Sequence, residues 1–202
     1  MKKLTTGILA SAAFALGTMV SGGPAHAASC NVDKPGADLS FAEAKGVYDC
    51  LKEKMVEGYK KGDKRWIPIE YVGNYRSWKP AATGPAAPGT HGDRFLMTYV
   101  NAIGHDQYTK YAEDITMPTG TVIAKESFTV SKKGKAKAGP LFIMEKVAPG
   151  TSPETEDWYY MMVSAKGKPQ GINVVSACHE CHSGFDFQGF MGYPVEEVRL
   201  GQ

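Results

Sequence analysis

Two thiols three positions apart, with an imidazole directly behind the second, are suited to only a few kinds of chemistry. Residues 177–185 read ACHECHSGF, so Cys178, Cys181 and His182 make a C-x-x-C-H signature. In an exported chain this is the spacing of c-type haem attachment. Two thiols bond as thioethers to the two vinyl groups on one porphyrin edge, and the next side chain points at the iron. His182 is then the proximal ligand, and His179, inside the loop, faces away. A redox dithiol would not need His182. A zinc site would want a second ligand pair, and the two remaining cysteines, Cys30 and Cys50, are better accounted for by each other.

The position of the motif matters as much as its spacing. Only twenty residues follow His182. Small electron-carrier cytochromes place the motif early and close the other haem face with a distant methionine. Here Met191 is close and would have to swing around the ring edge. The distal face is therefore expected from strands that precede the motif, and the iron is expected to be five-coordinate and open to a small ligand.

The N-terminus supplies the export signal. MKK is a short basic start, residues 4–20 are mostly small and apolar, and Ala25-His26-Ala27 fits an A-x-A cleavage site. The apolar run falls short of the roughly 20 residues a membrane span needs. Cleavage near Ala27 would leave one domain, 28–202, in the periplasm. A lipoprotein cut before Cys30 is the lesser alternative. Removing Lys2 and Lys3 reduces 23 basic residues to 21, matched by 21 acidic ones. A near-neutral mature chain gives no reason to expect a nucleic-acid or anionic-membrane partner. In an oxidising compartment Cys30 and Cys50 are expected to pair, the alternatives being two free thiols or a lipidated Cys30.

Ser40 with Glu43 three residues later marks a helix start. Phe41, Ala44, Tyr48, Leu51, Met55 and Tyr59 then recur at helical spacing as a core stripe. GNYRSWKP predicts a helical turn, RFLMTYVN a strand and HDQYTKYAED a short helix. TVIAKESFTV and LFIMEKV read as strands around a basic loop, SKKGKAKAGP. DWYYMMVS is a further strand, and SAKGKPQG a turn. The order predicts an α+β, β-rich fold: an N-terminal helix, a mostly antiparallel sheet and a C-terminal haem segment.

NYRSW, MTYVN, GTVIAKES, FIMEK, DWYYMM and CHECH with GYP behind it, in that order, resemble the cytochrome P-460 family over most of the mature chain. The resemblance implies an antiparallel sheet of about five strands and a homodimer. It implies one haem c with a further lysine-to-porphyrin crosslink, and oxidation of hydroxylamine to nitrous or nitric oxide. Carried over by motif, Lys125 matches the crosslinking lysine, Glu145 the distal carboxylate, and Cys178, Cys181 and His182 the attachment set. Arg94 opens the strand that carries a distal arginine in the family but sits two positions early.

Read without the family, Lys125 is an ordinary mid-strand lysine, and burial against haem would be needed to neutralise its amine. Leu141, Ile143 and Glu145 alternate onto one strand face, so an apolar face would end in a carboxylate able to accept protons. The alternative readings are a nitric oxide or carbon monoxide binder like the β-type cytochromes c′, and a plain electron carrier. For the enzyme, the expected partners are a small nitrogenous substrate or gas ligand and an electron acceptor such as a small periplasmic cytochrome c.

Overall fold

The computed structural model describes Met1 and residues 29–64, 66–172 and 175–201. The expected export signal and its cleavage site lie outside the described residues. The first long element is α1 (Phe41–Lys60), and its capping box is complete: Ser40 Oγ accepts from Glu43 N, and the Glu43 carboxylate accepts from Ser40 N at 2.9 Å. Ala44, Val47, Tyr48, Leu51, Met55 and Tyr59 form its buried stripe. Phe41, expected in that stripe, sits at the first helical position and stays exposed. Cys30 and Cys50 are joined, with Cα atoms 5.7 Å apart, tying the N-terminal arm to α1. A bridge across 20 positions limits the unfolded chain by about 3 kcal/mol.

A short helix, α2 (Ile69–Asn74), and a tight turn at Tyr75–Ser77 lead into the sheet. The sheet has six strands: β1 (Lys79–Pro80), β2 (Phe95–Val100), β3 (Val122–Val130), β4 (Ala136–Lys146), β5 (Trp158–Val163) and β6 (Pro169–Ile172). They lie in chain order, every neighbour antiparallel. A further short helix, α3 (His105–Tyr108), follows β2. Two expectations need correcting. The basic loop is shorter than it reads, because Ala136, Lys137 and Ala138 already pair with Val130, Thr129 and Phe128. A register shift between Glu126 and Phe128 accommodates Gly139 and Pro140, the residues that imitate a turn. PQG, the end of the expected turn SAKGKPQG, belongs to the sixth strand.

Both faces of the sheet are covered, which is why β3 is buried along seven of its nine positions. Strand alternation divides its residues. Val122, Ala124 and Phe128 join Leu141 and Ile143 in a core beneath α1. Ile123 joins Met144, Trp158, Tyr160 and Met191 in a second core on the other face, beneath the C-terminal segment.

One charged group is buried on the α1 side. Glu126 has no solvent exposure. Tyr48 donates to its carboxylate at 2.6 Å, Arg76 Nε at 2.6 Å, and Tyr75 donates to it as well. Tyr48 and Tyr99 hydroxyls are 2.7 Å apart and extend the network. Burial still raises the Glu126 pKa, against the pull of Arg76 and the two phenols.

Candidate functional site

The C-terminal segment starts with a wide helical turn at Val175–His179, continues as α4 (Glu180–His182) and tightens at Ser183–Gln188. Its docking to the body is mostly polar. Asp114 N donates to Phe187 O at 2.7 Å, Trp158 Nε1 to Gly189 O at 3.0 Å and the Tyr193 hydroxyl to Ala112 O at 3.0 Å. Met191 adds a fully buried apolar anchor. It belongs to the second core rather than to the cavity wall.

This docking brings Cys178, Cys181 and His182 to one cavity of about 720 Å³. Its walls are the faces of β2 to β5, the loop before β2 and the C-terminal segment, with Leu96, Ile123, Phe142, Met144 and Tyr160 among them. His182 is buried, and its Nδ1 lies 2.6 Å from Phe190 O. A carbonyl can only accept, so Nδ1 carries the proton and Nε2 keeps its lone pair for a metal. Burial first, and then the charge of Lys125, push the His182 pKa down to about 4, so the ring is neutral, as a ligand must be. His179 lies beside Tyr160, its Nδ1 3.3 Å from that hydroxyl, and does not line the cavity. Cys178 is half-buried and Cys181 exposed. Burial, then Cys181, raise the pKa of the Cys178 thiol.

Lys125 projects from the middle of β3 into the same cavity. Its Nζ donates to Met191 O at 3.1 Å and Gly192 O at 2.8 Å. Burial alone pushes its pKa down to about 8. A primary amine in that condition is neutral over a useful pH range and can act as a nucleophile.

Glu145 is elsewhere. It shares a strand face with Leu141 and Ile143, as the alternation implies, but that is the face beneath α1 and α2. There the Tyr71 hydroxyl donates to it, and burial, then this carboxylate, push the Tyr71 pKa up. Phe142 and Met144, one position out of step, take the cavity side. No Asp or Glu lines the cavity among the described residues. The expected distal carboxylate is thus on the wrong side of the sheet. Glu145→Gln should leave the cofactor spectrum and turnover unchanged, where loss of a general base lowers turnover by about 10²–10⁴-fold.

Arg94 does line the cavity, two residues short of Leu96. So does His91, a residue that sequence reasoning passed over because a single histidine in a Pro/Gly-rich loop carries no spacing signal. Burial, then Lys125 and His182, lower the His91 pKa to about 3.

The donor set and the space fit haem. Two thiols and one metal-ready imidazole converge on an apolar cavity whose volume lies in the usual range for cofactor sites. Among the described residues no three His, Cys, Asp or Glu side chains gather as a zinc site requires. Residues 72–189, more than half of the chain, match the Cytochrome P460 family. The chain belongs to the cytochrome P460 family. Comparison with curated proteins found no match. Membership in the cytochrome P460 family implies a haem cofactor and supports a c-type cytochrome. As a cytochrome P460 chain it has, among the described residues, no helix long and apolar enough to cross a membrane.

Proposed function

We propose that this protein is a periplasmic haem enzyme that oxidises hydroxylamine to nitrous or nitric oxide, with Lys125 covalently joined to the porphyrin. The observation that carries the reading is Lys125 itself. A buried, readily neutralised amine shares one cavity with both attachment thiols and the proximal imidazole. Haem bound there would supply a redox-active iron. Cys178 and Cys181 would hold it through thioethers, and His182 Nε2, its ring oriented by Phe190 O, would donate to the iron. Phe142, Met144 and Tyr160 exclude bulk water from the space around the ligand. Arg94 and Thr98 are among the lining groups able to donate hydrogen bonds to a small nitrogenous substrate. Electrons would leave to a small periplasmic c-type cytochrome, and the working unit would be a homodimer.

A second reading, a nitric oxide or carbon monoxide binder, draws support from the absence of any Asp or Glu among the described lining residues. Such a protein has no protons to remove from its ligand. Mass spectrometry of the purified holoprotein decides between them. The haem peptide holding Cys178 and Cys181 should carry the segment containing Lys125, and the reduced protein should show a strongly red-shifted Soret band. Lys125→Arg should lose both features and hydroxylamine oxidation together, while keeping its thioethers. Link formation replaces a porphyrin C–H and an amine N–H by a C–N bond, with two electrons and two protons passing to an added two-electron oxidant such as hydrogen peroxide. It should need the neutral amine, so with that oxidant in excess its rate should rise with pH and level off above about 8. A wild-type haem peptide without the Lys125 segment would move the assignment to gas binding.

A further inference from the structure

The sheet builds one turn twice. Residues 131–135 read SKKGK between β3 and β4, and residues 164–168 read SAKGK between β5 and β6. Ser131 N donates to Lys135 O at 3.0 Å, and Ser164 N to Lys168 O at 2.8 Å. Ser131 Oγ accepts from Lys133 N and Lys135 N at 3.2 and 3.1 Å, and Ser164 Oγ from Lys166 N and Lys168 N at 3.3 and 3.0 Å. Gly134 and Gly167 have φ of 71° and 82°, where a side chain is strained. Backbone geometry thus accounts for the serine and the glycine of each turn. It does not account for the lysines at the third and fifth places, because only their backbone takes part.

Antiparallel pairing in chain order puts both turns at one end of the sheet. Lys132, Lys133, Lys135, Lys137, Lys166 and Lys168 are all exposed there, and none enters an ion pair among the described residues. The adjoining arm and loop bring Asp33, Asp38 and Asp93, which the lysines outnumber. The opposite end has the opposite charge. Loop 101–121 carries Asp106, Glu113 and Asp114, and loop 147–157 carries Glu154, Glu156 and Asp157, against Lys110. The near-neutral total therefore hides a molecule charged differently at its two ends. The basic turns are also braced. Val32 N donates to Gly134 O at 2.9 Å and Ala136 N to Asn31 Oδ1 at 3.0 Å, and the Cys30–Cys50 bridge fixes that arm. The second turn lies so close to the end of α1 that a side chain on Gly58 or Gly167 would collide with Ala165 O or Lys61 O.

This end is also where the cavity is reached. Lys137 is three residues from Pro140 and Lys168 two from Gln170, and Pro140 and Gln170 line the cavity. Along a strand that is about 10 Å or less. The two turns are two strands apart and staggered, since β4 runs five residues, 136–140, past the Leu141–Val163 pair. Their lysines therefore span roughly 20 Å. That is the width of a protein interface and too wide for one small anion. Neither turn exposes a large apolar side chain, the wedge by which a helix grips a lipid surface.

We propose that the two turns form the docking face for an acidic electron-transfer protein, which collects electrons at the mouth of the cavity. The proposal rests on the reading that this cavity holds haem and takes electrons from its substrate. The acidic far end repels such a partner while the basic end attracts it, so the charge distribution turns the encounter towards the mouth.

The test uses the exported, haem-loaded protein reduced with dithionite and mixed in stopped flow with a small oxidised c-type cytochrome. The carrier is used unmodified, with its lysines intact, and succinylated, so that its face is acidic. One electron passes from the reduced protein to the carrier, and no bond is made or broken. At low salt the acidic carrier should react at least about tenfold faster than the basic one, and the gap should close as salt rises. The joint variant Lys133→Glu, Lys135→Glu, Lys166→Glu, Lys168→Glu should abolish the gap. The same four positions changed to Gln should give an intermediate rate, and serve if the glutamate variant folds poorly. Glu113→Lys with Glu156→Lys, at the far end, should stay within about twofold of wild type, beyond the reach of screened charges. An acidic carrier no faster than the basic one, or a gap that survives both lysine variants, overturns the proposal. So does lysine-dependent sedimentation with phosphatidylglycerol vesicles in the absence of any carrier preference, which would assign the face to a membrane. Failure of wild type to oxidise hydroxylamine with a small neutral dye as acceptor overturns the proposed function instead. The carrier rates are unaffected by that failure, because dithionite supplies their electrons.

Discussion

Arg76→Met should destabilise the protein by about 3–5 kcal/mol, the usual cost of leaving a buried charge without its partner. That is a large share of the 5–15 kcal/mol that holds an ordinary domain together. Glu126 is fully enclosed and takes hydrogen bonds from Tyr48, Tyr75 and Arg76. Removing the guanidinium leaves two phenols to support the carboxylate and removes the one neutralising charge in contact with it. Arg76 Nη2 also donates to Lys52 O at 2.9 Å, so α1 loses a tie to the turn before the sheet.

The pH dependence follows in sign. Burial already raises the folded pKa of Glu126, and losing Arg76 raises it further. A raised carboxyl pKa means the folded state binds the proton more tightly than the unfolded one. The penalty is therefore full at neutral pH and shrinks as pH falls towards about 4, where the unfolded carboxyl also protonates. Urea denaturation of wild type and variant at neutral and acidic pH measures it. Equal stabilities at neutral pH would remove the charge network from any account of the fold.

His182→Ala should have the largest effect on activity, lowering turnover by more than about 100-fold, since even the partners of metal ligands cost 10–100-fold when lost. The two thioethers should survive, so the haem stays with the chain while its spectrum changes throughout. His179→Ala is the control. It removes only the contact with Tyr160 and should leave the spectrum and turnover close to wild type. Equal damage from the two substitutions would mean that the motif does not assign the ligand as its spacing implies.

Sequence and structure agree where a local rule decides and part where a choice between two equivalent faces decides. The Ser40–Glu43 capping box and the Tyr48, Leu51, Met55, Tyr59 stripe define α1 from chemistry within a few residues. The alternation of Leu141, Ile143 and Glu145 is also legible, and the three do share a face. Alternation cannot say which face meets the cavity, because β4 is covered on both sides. The same ambiguity hides the division between neighbours on β3: Lys125 turns to the cavity and Glu126 to the helix. Gly139 and Pro140 look like a turn because the sequence does not show the register shift that absorbs them. His91 was hidden for a different reason. Its place in the cavity wall depends on where a loop folds back, which neither periodicity nor spacing records.

The sheet pairs each strand only with its neighbour in the chain, and this sets an order of assembly. Contacts between sequence neighbours form early and quickly, and none of the strand pairs needs residues 175–201. The sheet can close while the segment with Cys178 and Cys181 is still loose and its thiols are accessible. Lys125 is then not yet capped, because its two acceptors, Met191 O and Gly192 O, belong to that segment. Its amine stays hydrated and protonated, and inert. Docking of the last segment is what strips its water away. On the proposed function, the thioethers would form first and the lysine bond last, so that maturation would be timed by the chain's own closure, and the reactive amine would exist only once the porphyrin was already in position.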